Sequence, residues 1–329
     1  MKELLQKIHQ NLSQYGVAGF TRWSFNYARW ILYRRIFQVR FFEKRVNDYR
    51  LVLDLADLGI SKELMLNKTR EEDHIYVLKQ CVKRGMTILD CGANIGYYSV
   101  MLAKLVGPLG MVYAIEPDFA NYYLLNVNIS LNNVTDRVKT FNHGLSNKNG
   151  TEKFFLSVMS NRHTFYVKEY SGVSQNIIRD TTPIDIPVMT LGTFANGKRP
   201  IDLVRMDIEG YEVEVFQGIL ADIENNTYRP SILFEVHRSR YDAIEHDLAK
   251  QLWGLFEKGY CIKWLVSDQH LRGKSCRAYK ERGYSKDHIV AELPFSDRAI
   301  YRKISNEDAV DLICNTDWVR AALLEFQIK

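Results

Sequence analysis

The spacing of apolar positions changes along the chain, and each change marks an element. Residues 1–45 contain few helix breakers and read as helix; at about 100° per residue, Trp23, Tyr27, Trp30, Phe37 and Phe41 share one face. Arg34 falls on that face too, while Phe25 and Leu32 lie opposite. From Arg45 to Ile60 the stretch RVNDYRLVLDLADLGI alternates as an edge strand or hairpin does and stops at Gly59. A helix is expected over about 71–83, apolar at Ile75, Leu78 and Val82 and closed by Gly85. Strands then alternate with helices, the strands at 87–91, 111–115, 137–141, 201–207 and 231–237 and the helices at 95–106, 118–131, 211–223 and 241–258. These strands are short and apolar on both faces, as parallel strands covered by helices are. The pattern predicts a doubly wound, mostly parallel α/β sheet. The Ser/Thr/Asn-rich stretch 150–190 interrupts it as a hairpin or lid. YCIKWLV and RAIYRKI read as two further strands separated by polar residues 267–290, and 306–329 as a C-terminal helix. The expected organisation is a helical arm (1–45), a lead-in hairpin and helix (46–85), the main domain (86–305) and that last helix.

Composition narrows the class. The chain has 329 residues, 46% apolar and 25% charged, with 7 Pro, which is ordinary globular usage and excludes collagen-like and disordered chains. No run of 18 or more uncharged apolar residues predicts a transmembrane helix. The formal charge of +5 is uneven, because residues 1–50 hold ten Lys or Arg against three acids. The remainder is therefore slightly acidic, which argues against a nucleic-acid binder that tracks phosphates. Five cysteines without a C-x-x-C pair exclude zinc ribbons and thioredoxin-type chemistry. The first residues, MKELLQKIHQNLSQYG, lack a signal-peptide core, so reduced thiols in a cytoplasmic protein are expected.

The strongest chemical signal is TILDCGANIGYYSVMLAKLVG. A strand ends in Asp90, a turn of Gly92, Ala93, Asn94, Ile95 and Gly96 follows, and a helix begins. Small residues here let a ligand pass close to backbone N–H groups. The spacing is D-x-G-x-N-x-G rather than the dinucleotide G-x-G-x-x-G. Glu116 ends the next strand, where a carboxylate accepts hydrogen bonds from both ribose hydroxyls. A turn without a phosphate-seeking cation, followed by a ribose acid, fits S-adenosylmethionine, with Asp90 toward its amino-acid moiety. Asn142 to Leu145, including Gly144, would edge the adenine.

Together, DCGANIGYYS, AIEPD with NYYLLNVNISLNN, GLSNKNG and RMDIEGYEVEVFQG resemble the FkbM family of S-adenosylmethionine-dependent methyltransferases. The likeness covers about residues 50–240 and implies a Rossmann-like class I fold with a seven-stranded sheet. It also implies O-methylation of a sugar, glycan or small natural product. Arg205 departs from the family, which more often has Lys there.

Chemistry in such sheets sits at the carboxyl ends of the strands. The fourth strand supplies Asp207 and Glu209, the fifth Glu235 and His237. A neutral imidazole suits a general base for a hydroxyl acceptor, which makes His237 the expected base and Asp207 its alternative or orienting partner. Glu209 could hydrogen-bond an acceptor hydroxyl or the methionine amino group of the cofactor, Glu235 would contact the acceptor, and His163 could reach it from the lid. Asp207, Glu235 and His237 are donor types that suit a divalent metal, but no metal is assigned. A catalytically silent scaffold of a glycan-assembly complex and an RNA methyltransferase are the competing readings. For the arm, two roles stand side by side: contact with an anionic membrane surface through residues 20–45, or packing of its aromatics on protein.

Overall fold

The computed structural model describes residues 19–166, 183–225, 229–268, 274–291 and 298–327. Residues 1–18 of the arm, 167–182 of the expected lid and 269–273 of the polar stretch lie outside these.

Helix α1 (described over residues 19–31) runs into a wider π-turn at Leu32–Ile36. An antiparallel hairpin follows, β1 (Phe41–Val46) and β2 (Tyr49–Asp54). The arm is therefore shorter than its expected boundary at residue 45, because Phe41 already pairs with Asp54. Helices α2 (Ile60–Leu66) and α3 (Glu72–Cys81) lead into the main sheet.

The sheet core is β3 (Thr87–Cys91), β4 (Met111–Ile115), β5 (Val138–Phe141), β9 (Leu203–Met206) and β10 (Ser231–Glu235), all parallel. Helices α4 (Tyr97–Val106) and α5 (Phe119–Leu131) cover one face. Helices α6 (Leu191–Ala195), α7 (Glu212–Asn225), α8 (Leu248–Glu257) and α10 (Asn306–Asn315) cover the other. The strand period of two distributes side chains between the two cores. Ile88, Val112, Ala114 and Leu233 enter the core shared with α1, the hairpin, α4 and α5. Leu89, Tyr113, Val204 and Phe234 enter the other.

Two expectations are corrected here. Nine strands form the sheet, not seven, in the order β12-β13-β11-β14-β10-β9-β3-β4-β5. The seven from β11 (Tyr260–Ser267) to β5 are extended at one edge by β13 (Arg298–Tyr301) and β12 (His288–Ala291). β12 and a short helix, α9 (Lys274–Glu281), come from the stretch read only as polar.

The C-terminal segment is also not one helix. After α10 it becomes β14 (Val319–Phe326), inserted antiparallel between β10 and β11. VRAALLEF is rich in good helix formers, but five of the six positions from Val319 to Leu324, all except Arg320, are buried in mid-sheet. Burial on both faces outweighs the small helix propensities.

Residues 144–189 supply a small separate sheet of β6 (Gly144–Leu145), β8 (Ile184–Met189) and β7 (Gly150–Phe154). All five cysteines are free thiols.

Candidate active site

The turn after β3 is built tightly against the ends of its neighbours. Gly92 has φ +76°, and a Cβ there would lie 2.0 Å from the Asp207 carbonyl oxygen, so only glycine fits. The N–H groups of Gly92 and Ala93 both donate to the Ile115 carbonyl (3.0 Å each), and that of Gly96 donates to Ala93. Asn94, also left-handed at φ 50°, donates its N–H to Glu116 Oε2 at 2.8 Å. The turn therefore spends its backbone donors inside the protein rather than offering them to a ligand, a correction to the expectation from spacing. What faces the cleft is the small surface of Gly92, Ala93 and Asn94, with Glu116 beside it.

Glu116 is the polar centre of this cleft. Burial pushes its carboxyl up to about 8, and the charge of Asp118 adds to the effect, although the N–H groups of Asp118 and Asn94 partly offset it. A buried carboxyl at this strand end is the donor-hungry group that a ribose diol satisfies.

Other expected cofactor residues have indirect positions. Asp90 is fully buried and does not line the cleft; it accepts from Ser99 Oγ (2.6 Å) and Arg205 Nη1 (3.1 Å). The Asn142 amide donates to the Glu116 and Pro117 carbonyls, fastening the β4 and β5 ends to each other. Gly144 lies in β6 against Phe165, and it is Phe165 that reaches the cleft. His163 lines the cofactor cleft, 3.8 Å from Asp118, rather than the acceptor side.

The cleft is narrow, about 60 Å³, whereas small-molecule pockets run to roughly 300–1,000 Å³. The cause is the segment 157–163. Ser160 lies across the opening, its carbonyl accepting from the Asn94 and Asn121 amides (3.0 and 3.3 Å) and its N–H donating to Asp57 (2.9 Å).

Beside the cleft opens a larger cavity of about 800 Å³, lined mostly by charged and polar side chains together with Trp23, Leu66 and Val290. Asp207, Glu209, Arg70 and Asn161 line both spaces and so mark the junction. The sequence-predicted acceptor residues converge here. His237 Nε2 lies 3.6 Å from Asp207 and 3.9 Å from Glu235, and its Nδ1 is fixed by Glu212 at 2.8 Å. Arginines answer the acids. Arg205 pairs with Asp207 (2.8 Å) and stacks on Tyr98, Arg240 pairs with Glu209 (3.1 Å), and Arg320 with Glu235 (3.3 Å) and Glu71 (2.8 Å).

This arrangement separates three candidate bases. Burial opposes the charge of His237, yet Glu212 and Glu209 outweigh it and raise the imidazole to about 10. It is therefore imidazolium at neutral pH, and the neutral base expected from sequence is not what the site holds. Burial likewise opposes ionisation of Asp207, but Arg205 and His237 hold its carboxyl well below the usual range. Glu209 differs: burial dominates and brings it up to about 7, with His237 and Arg240 restraining the rise. Its backbone is left-handed at φ 55°, a strained setting for glutamate that occurs mainly at functional sites.

Ligand atoms of Asp207, Glu209 and His237 lie within 4.8 Å of one another, so a cation could be held there, with Glu209 rather than Glu235 as the third donor. Arg205 and Arg240 already bring positive charge to both acids.

Residues 90–272, more than half of the chain, match the model of the methyltransferase FkbM domain. The chain belongs to the FkbM methyltransferase family. The methyl donor of this family is S-adenosylmethionine, and the Gly92 cradle and buried Glu116 fit it. Among curated proteins, the chain is 26% identical over 170 residues to methyltransferase sdnD of Sordaria araneosa, covering 45% of this chain and 65% of that one. Among solved structures, methyltransferase FkbM from Methylobacillus flagellatus KT is similar at TM-score 0.41 and 18% identity, over 71% of this chain and 48% of that one. TYW2 of M. jannaschii, solved in complex with AdoMet, is similar at TM-score 0.38 and 14% identity, over 88% and 87% of the two chains. The chain thus spans about two thirds of the curated relative and about half of the solved FkbM protein.

Sequence reasoning missed the cavity's outer wall. Arg70, Arg320, Trp23 and Asn26 come from distant segments.

Proposed function

We propose that this FkbM domain is an S-adenosylmethionine-dependent O-methyltransferase acting on a polyhydroxylated acceptor such as a sugar, glycan or small natural product. One observation carries the reading. Glu209, with a carboxyl near neutrality, stands where the cofactor cleft opens into a polar cavity. A base poised near the working pH is what deprotonation of an attacking hydroxyl requires.

In this account Glu116 would hold the ribose, and Gly92 and Ala93 would let the cofactor lie against the turn. S-adenosylmethionine, when bound, supplies an electrophilic methyl group. The rest is done by side chains. The charged cavity wall replaces the water around acceptor hydroxyls, Glu209 takes the proton, and Asp207 stays ionised and orients His237. Imidazolium His237 donates to an acceptor oxygen rather than taking its proton. Segment 157–163 must give way for the cofactor to enter and can then cover it. The cavity's mixed charges suit neutral polar hydroxyls better than an apolar ring system.

The test is transfer of labelled methyl from S-adenosylmethionine to a carbohydrate-rich extract, with the product linkage read by mass spectrometry. Label in an acid-stable methyl ether supports the proposal; label only on nitrogen or carbon refutes it. Cofactor binding with no transfer to any acceptor pool would favour the scaffold reading.

A further inference from the structure

Helix α1 has two dissimilar faces. Trp23, Tyr27, Trp30 and Tyr33 turn inward, where Trp23 stacks on Tyr27 (5.2 Å between rings) and all four pack on the hydrophobic core. Part of the aromatic content of the arm is thus explained by burial against the domain. The outer face is exposed at positions 22, 25, 28, 32, 35 and 36, a helical spacing that gathers Arg22, Phe25, Ala28, Leu32, Arg35 and Ile36 into a stripe. Phe25 is 68% exposed and Ile36 67%. Beyond the helix, Phe37, which packs on Tyr33, and Phe41 at the start of the hairpin are exposed as well.

Two features make this more than scattered exposure. Of the twelve large apolar side chains exposed among the described residues, five fall within positions 25–41. The same stretch is one-signed, with Arg22, Arg29, Arg34, Arg35 and Arg40 and no acid between Gly19 and Phe42. Apolar side chains flanked by arginines alone match a surface that is greasy at depth and anionic at its edge. Among the described residues no helix is long and apolar enough to cross a membrane; the contact argued here is made by a helix face.

We propose that the outer face of α1, together with Phe37 and Phe41, docks on an anionic lipid bilayer. Phe25, Leu32, Ile36 and Phe37 enter the interfacial zone, and Arg22 and Arg35 meet lipid phosphates. The consequence for chemistry follows from Arg22, which belongs both to this face and to the cavity wall, with Trp23 and Asn26 of the same helix beside it. Docking would bring the acceptor cavity to the headgroup layer, where a membrane-anchored hydroxyl acceptor is found. That last step rests on the proposed methyl transfer; the docking itself does not.

Flotation of the full chain separates the two. The probes are phosphatidylcholine vesicles and vesicles of phosphatidylcholine with phosphatidylglycerol, and S-adenosylmethionine binding is measured on every preparation. The wild type is expected to float with the mixed vesicles and much less with the neutral ones. Arg35→Glu should lower partitioning at least about fivefold. A Phe25→Ser, Ile36→Ser, Phe37→Ser variant should lose flotation while binding S-adenosylmethionine normally, since these side chains touch neither cavity nor cleft. Absence of flotation, equal flotation with both vesicle types, or wild-type flotation of either variant would overturn the proposal. So would a triple variant that merely converts a dimer to a monomer, which would assign the face to a second copy of the chain.

Discussion

The cofactor side and the acceptor side of this site are built by different means, although Asp207 and Glu209 belong to both. The floor of the cofactor side is local, one turn, Gly92 to Gly96, and one strand end, Glu116, joined by two backbone N–H bonds to Ile115, with segment 157–165 laid across it. Its chemistry is a shape that tolerates no extra atom and one buried carboxyl. The acceptor side is assembled from distant parts of the chain, among them Arg22 from α1, Arg70 before α3, Asn161, Glu209 after β9, His237 after β10 and Arg320 in β14. Its chemistry is a balance of many charges. A tight local turn should therefore fail all at once, and a distributed charge network by degrees.

The sharpest way to break the comparison is at Gly92. Alanine there would place its Cβ 2.0 Å from backbone, so Gly92→Ala should abolish measurable cofactor binding, more than about 100-fold, with the global fold retained by circular dichroism. Normal calorimetric affinity would show that the turn has slack it does not display.

On the acceptor side the largest effect is expected at the base. Glu209→Gln should lower kcat by about 10²–10⁴ and remove the rise of activity through pH 7 that ionisation of Glu209 predicts. His237→Gln should be milder and should leave that pH profile in place. The reverse ranking would return the base to His237.

Next comes Arg320, whose guanidinium faces Glu71, Asp73 and Glu235. Arg320→Met leaves buried acids under-compensated and should cost about 3 kcal/mol in denaturant unfolding, because Arg70 still meets Glu71. A stability change below about 0.5 kcal/mol would mean that the network is not a unit.

The smallest effect sharpens the cofactor side. Burial holds Glu116 at about 8 without ligand, and hydrogen bonds from ribose hydroxyls favour its ionised form. Binding then releases a proton, so affinity for S-adenosylmethionine should rise with pH, up to about tenfold per unit below pH 8, and level off above it. Glu116→Gln should flatten that slope as well as weaken binding.

The same contrast explains what could be read from sequence. Strand–turn–helix periodicity and the spacing from Asp90 to Glu116 are local, and they located the cofactor side. Even there, the role of Asp90 was misread, since nothing in DCGAN reveals that Arg205 would approach from the next strand. The acceptor wall depends on β14 reaching mid-sheet, and VRAALLEF carries helix propensity that only burial overrides. Proton affinities were least legible. The proposed roles of His237 and Glu209 differ from the expected ones because three further carboxylates, Asp207, Glu212 and Glu235, and three arginines meet around them, an outcome of the fold rather than of any motif.

The central claim is that cofactor binding and proton removal are separable at Glu209. It is tested most directly by measuring S-adenosylmethionine affinity and labelled methyl transfer on the same preparations of wild type and Glu209→Gln. Because Glu209 also borders the cofactor cleft, the account predicts a change in affinity far smaller than the loss of transfer, which falls in the variant at least about 100-fold, at the low end of about 10²–10⁴ for a positioned base. Transfer near the wild-type rate would contradict it.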